Sequence, residues 1–212
     1  MKKDFDISPR LSNRIVHSLT ESLYASGIFT DDDIKDKKSL CFALERIIDN
    51  GGIDELTVDY TQSLTAKARK YKNSNELDYA RIFYATYFEH EVNALIYLFC
   101  LRNKIDNKTQ TAIIQSVNIW GKFTWLLQLM NYPKINKNHL NTIKMLADSR
   151  NSFIHYKWKD TSDFHSIPDS EKEQEKIDNE FERIEKAVKY FRNYCSKIKF
   201  KGNKSRIKKL IK

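Results

Sequence analysis

In the stretch SRNSFIHYKW, residues 149 to 158, a guanidinium, a side-chain amide and an imidazole fall within two helical turns. Read as a helix from about 137 to 158, this segment has an apolar stripe of Leu140, Ile143, Ala147 and Ile154, and Arg150 occupies a position within it. Beside that stripe runs a polar one of Lys144, Asp148, Asn151 and His155. Residues four apart on a helix are neighbours, so Asn151 and His155 stack on one face, where the amide can hydrogen-bond the imidazole and fix its tautomer. Arg150 lies about 140° round the helix from His155, but its long side chain can sweep toward the same cleft. The three groups supply a base or acid that titrates near neutrality, a residue that aims it and a permanent planar cation suited to phosphate. Those are the tools for cutting RNA without a metal: a base removes the 2′-OH proton, the oxygen attacks the adjacent phosphorus, and a cation stabilises the non-bridging oxygens. One histidine does not easily act as base and acid at once. Two copies facing each other across a two-fold axis could divide the roles.

The elements that must position these residues read as helices. Leu11, Ile15, Leu19 and Leu23 mark a helix over 9–26, and Leu40, Leu44 and Ile47 mark another over 34–49, stopped by Asn50-Gly-Gly52. A weaker, more polar helix covers 54–72. Asn75 with Asp78 predicts an N-cap and a long helix over about 76–103, apolar on most sides and therefore central. Asn107 with Gln110 caps a helix running through Ile113, Val117, Trp120, Leu127 and Met130 until Pro133 ends it. Ser170 with Glu173 opens a last helix to about 198, after a polar loop over 160–170. With 5 glycines and 3 prolines in 212 residues, the composition argues against a hairpin-rich β fold. No internal repeat is present.

The pattern Arg150-Asn151-Ser-Phe-Ile-His155 in an all-helical chain resembles the signature of HEPN-domain ribonucleases. The resemblance implies an all-α, HEPN-like helical bundle over residues 76–198, with 1–75 as an N-terminal helical extension and 199–212 as a basic tail. It also implies Arg150 and His155 as catalytic residues and Asn151 as the orienting polar residue. The expected partners are RNA and a second copy of the chain, because such domains typically pair so that two Arg/His motifs line one cleft. A 2′,3′-cyclic phosphate product and a toxin or anti-phage defence role, with an antitoxin or regulatory protein nearby, follow from the same resemblance. The subfamily stays open: some members carry a tyrosine two residues after the histidine, where this chain has Lys157, with Tyr156 one residue earlier.

Other residues complete the candidate site. Glu89 and Asn93 stand one turn apart in the most apolar helix and need partners there, and Arg150 is the evident one for Glu89. A pair that positions Arg150 and a salt bridge that only locks the bundle are equally open. Lys144, Tyr156, Lys157 and Trp158 are candidates for contacting RNA, the aromatics by stacking on a base. Trp120 and Trp125 read as core by spacing. No cofactor or metal is expected: His90-Glu91 lacks the second histidine of a zinc helix, since position 94 is alanine, and Thr30-Asp-Asp-Asp33 lacks the glycine and distal glutamate of a calcium loop.

Composition sets the surroundings. Hydrophobic residues make up 41% and charged residues 31%, as in globular proteins. The three cysteines are odd in number and far apart, which suits reduced thiols and a cytoplasmic setting. The start, MKKDFDISPR, has no apolar run behind it, and the longest such run, residues 94–101, is too short to span a bilayer, so no membrane partner is expected. Of the net charge of +9, most lies in residues 197–212, which contain lysines and Arg206 but no acid. Read as a tail, this end attracts polyanions, nucleic acid before anionic membrane. Two other functions remain open: a catalytically silent HEPN module that binds RNA, a nucleotide or a partner protein, and a helical interaction protein whose basic tail touches nucleic acid or membrane. The last of these requires Arg150 to be paired away inside the chain.

Overall fold

The amphipathic spacings become helices, and the computed structural model describes residues 8–51, 61–154 and 171–211. Among these residues there is no strand; the elements are α1 (Pro9–Ser26), α2 (Lys37–Asp49), α3 (Thr61–Asn73), α4 (Leu77–Arg102), α5 (Asn107–Ser116), α6 (Ile119–Gly121), a π-helical turn (Lys122–Leu126), α7 (Leu127–Leu129), α8 (Lys137–Ile154), α9 (Glu171–Phe200) and α10 (Lys204–Leu210). The protein is all-α. Residues 54–60, the loop over 160–170 and the Ser170 cap lie outside the described residues.

The helix ends are set by local chemistry. Ser8 caps α1 by accepting from the Leu11 amide, with Pro9 supplying a preset φ at the first helical position. Gly27 ends α1 at φ 85°, and Asp36 caps α2 by accepting from the Ser39 amide. Three expectations need correction. Asn75 does not cap α4: it stands at φ 58° in the turn before it, a left-handed conformation that asparagine tolerates. Asp106, not Asn107, caps α5 by accepting from the Thr109 amide. The helix expected to run unbroken to Met130 breaks at Val117, which is extended, because the Asn118 side chain accepts from the Gly121 amide and starts a new helix.

Helix α4 is the axis of the main core. Tyr84, Tyr87, Phe88, Val92, Leu95 and Ile96 are fully buried among side chains of α3, α8, α9 and the π turn. Burying apolar surface at about 25 cal/mol per Å² makes this helix the chief source of stability. Bidentate ion pairs fasten its flanks to α9: Arg69 of α3 to Glu185 at 2.8 and 2.9 Å, and Arg81 of α4 to Glu180 at the same distances. The Tyr84 hydroxyl also donates to Glu185.

A second cluster joins the two chain ends. Leu23, Tyr24, Phe29, Ile34 and Leu40 close on Phe200 and Ile207. The basic end is therefore a packed element rather than a free tail through residue 211, because Phe200 and Ile207 give a lysine-rich segment something to bury. Lys199 turns inward and donates to the buried Glu91 carboxylate at 2.8 Å. Arg102, at the end of α4, ties the clusters together by donating to the carbonyls of Ala25 at 2.6 and 2.9 Å and Lys199 at 2.9 Å. Arg102→Met leaves those carbonyls without this donor. It is expected to lower the unfolding free energy by about 1.5–3 kcal/mol in urea denaturation, with far-UV circular dichroism little changed.

Candidate functional site

The middle turns of α8 face the core with Ile143, Leu146 and Ala147, and the helical period then brings position 150 round to the same side. A hydrocarbon side chain there would only extend the stripe. Arg150 instead donates from Nη1 to Oε2 of Glu89 at 2.7 Å, both side chains about one-quarter exposed. Phe153, one turn on, meets Tyr79 edge-on with ring centroids 5.8 Å apart. The two contacts, to residues 89 and then 79, show α8 descending α4 toward its N-terminus.

A third charge was not foreseen. Lys122 is 3% exposed, and its Nζ lies 3.9 Å from Oε1 of the same Glu89. Its position depends on the π turn, which carries an extra residue per turn and re-aims the side chains that follow it. Gly121 allows that turn to close: a Cβ there would lie 2.9 Å from both Trp125 Nε1 and Val117 Cγ1. The sequence signal was weak, a lysine flanked by Gly121 and Phe123 inside a hydrophobic run.

Glu89 thus lies between a partly exposed guanidinium and a buried ammonium, and the three formal charges sum to one positive. Burial pulls Lys122 below the ordinary lysine range; the Glu89 carboxylate pushes it back up, and the Arg150 guanidinium pushes it down again. The site is a cationic surface point with a carboxylate keeper. It suits a phosphate group, which can take a hydrogen bond from the remaining guanidinium nitrogens.

The other candidates fall as follows. Asn151 is exposed beside Arg150. Asn93 stands one turn beyond Glu89, and its Oδ1 is buried without a hydrogen-bond partner among the described residues. Lys144 is exposed, with its ammonium 5.2 Å from the centroid of the Trp120 ring. The two lie at a depression of about 40 Å³, lined also by Phe123, Ile143 and Asp148, with room for a few waters but not a nucleobase. Trp120 and Trp125 are 41% and 53% exposed, not core, because the break at Val117 and the π turn rotate them outward. His155, Tyr156, Lys157 and Trp158 lie outside the described residues. The Thr30–Asp33 turn closes on itself, with the Thr30 amide and hydroxyl both donating to Asp33 at 2.8 Å. Among the described residues, no group of three or more His, Cys, Asp or Glu side chains could hold a metal ion, and no helix is long and apolar enough to cross a membrane. No protein-family model, curated protein or solved structure matches the chain.

The charge cluster has a pH signature. Lys122 binds its proton less tightly in the folded chain than at the free value of about 10.4. Between its folded pKa and that value the unfolded chain holds the extra proton, so stability rises with pH across the window. Lys122→Met is expected to remove that rise. By NMR of the lysine side chain, Glu89→Gln is expected to move the Lys122 titration further down and Arg150→Met to move it up.

Proposed function

We propose that the chain is a metal-independent endoribonuclease of the HEPN type, acting as a toxin or anti-phage defence effector. One observation carries this reading: Arg150, at the head of the Arg150-Asn151-x-x-x-His155 pattern, is held by Glu89 at the surface end of a buried charge cluster. A cation meant for phosphate must be aimed without being neutralised, and a single carboxylate shared with Lys122 does both.

In the chemistry that fits, His155 of one protomer takes the 2′-OH proton, and the 2′-oxygen forms a bond to the adjacent phosphorus. The phosphorus–5′-oxygen bond breaks, and the leaving oxygen takes a proton from the protonated His155 of the second protomer. Arg150 stabilises charge on the non-bridging oxygens, and the products are a 2′,3′-cyclic phosphate and a free 5′-hydroxyl. Asn151 orients the imidazole, and Lys144, Tyr156, Lys157 and Trp158 serve the flanking nucleotides. An antitoxin or regulatory protein would restrain the activity.

The same ion pair also favours a second reading, a helical interaction module in which Glu89 and Arg150 merely lock α8 to α4. Exposed Trp125 and Leu129 would then serve a protein partner. Incubation with RNA in the presence of a chelator separates the two. The nuclease produces 2′,3′-cyclic ends, and His155→Ala lowers the rate by about 10²–10⁴-fold with the circular dichroism spectrum kept. RNA left intact by the unmodified chain, or cut equally well by His155→Ala, leaves the interaction module as the better account.

A further inference from the structure

We infer that the outer face of α10 is a docking surface for a nucleic-acid backbone, separate from the Arg150 site and independent of any cleavage there. Residues 201–211 carry five cations, Lys201, Lys204, Arg206, Lys208 and Lys209, and no acid. All five are exposed, while Ile207 is 0% exposed in the second core cluster. The helical period explains the separation. With Lys204 set at 0°, steps of about 100° put Lys208 at about 40°, Lys209 at about 140° and Arg206 at about 200°, against about 300° for Ile207 and about 240° for Leu210. The cations fan over one side and the apolar residues hold the other.

Helix stability does not account for this arrangement. A helix of 7 residues is too short to stand alone in water. Lys208 and Lys209 suit its C-terminal dipole, but Lys204 in the first turn opposes it and repels Lys208 one turn on. The fold instead holds the charges in place by burying Ile207 and by the Arg206 guanidinium, which donates to the Lys35 carbonyl at 3.3 Å. The nearby acids are largely engaged: Asp31 accepts from Asn203 and Tyr24, Asp33 from Thr30 and Arg46, and Asp36 from the Ser39 amide, while Asp32 is exposed. A fixed array of like charges is relieved by a polyanion.

The chemistry favours nucleic acid over a membrane surface. A cationic helix lies on a bilayer by sinking its apolar face into it, and the apolar face of α10 is already occupied by Ile207 packing on the α1 and α2 cluster. Phosphodiester binding needs only the charged face, with counterion release as its driving force.

The test is fluorescence anisotropy of the full chain with a short, labelled 2′-O-methyl RNA, which no 2′-OH chemistry can cut, over about 50 to 200 mM salt. Lys204→Gln/Lys208→Gln/Lys209→Gln is expected to weaken binding by about tenfold or more. It should also flatten the slope of log K against log salt by about 2, at about 0.7 per phosphate contact. The control Lys70→Gln/Lys108→Gln/Lys137→Gln, equal in charge and exposed elsewhere, should leave the slope unchanged. Equal losses from the two triple variants, or no loss from the α10 variant, overturn the inference. So does binding of phosphatidylserine vesicles through these lysines with RNA left unbound.

Discussion

A carboxylate set against a packed helical core must be matched by a cation, and α4 carries two of them, one buried and one about one-quarter exposed. Glu89 and Glu91 stand on the most apolar helix of the chain, and neither finds its cation on that helix: Glu89 takes Arg150 from α8 and Lys122 from the π turn, and Glu91 takes Lys199 from the end of α9. Leaving one such charge unmatched costs far more than the pair contributes, so these ion pairs act on register more than on stability. Side chains of many shapes could fill the apolar space around α4. Only one rotation of α8 brings Arg150 to Glu89, and only an inward turn at the end of α9 brings Lys199 to Glu91.

The π turn belongs to the same constraint. An unbroken α-helix from 107 to 130 would continue one apolar face past Trp120. The break at Val117 and the wider turn after Gly121 turn the two tryptophans outward and Lys122 inward. A buried lysine at the hinge between two helical segments is costly by itself, and Glu89 offsets that cost. The carboxylate that aims Arg150 is thus also the one that lets the preceding segment pack. In the proposed chemistry, the phosphate-facing cation gains a rigid mount on the central helix.

Much of this architecture was legible in the residues. Spacing alone located α1, α2, α4, α8 and α9, and an arginine in an apolar stripe opposite a glutamate on the most buried helix pointed directly to the Glu89–Arg150 pair. Long-range effects were less legible. Leu11 and Ile15 continue the α1 stripe yet are 48% and 49% exposed, because the second cluster reaches only the later turns of that helix. A run of lysines reads as solvated until Phe200 and Ile207 are seen to close on α1 and α2. Lys122 gave little local sign, since its burial arises from a backbone irregularity set by Asn118 and Gly121 rather than from its own neighbours.

The most direct test of the central claim is a double-mutant cycle on the ion pair, with Glu89→Gln, Arg150→Met and the two combined, read as unfolding free energies in urea. A carboxylate that fixes Arg150 and balances Lys122 predicts a coupling of about 1–2 kcal/mol between the two positions. Single effects that add to within about 0.5 kcal/mol would contradict it, because Arg150 would then not be held by Glu89.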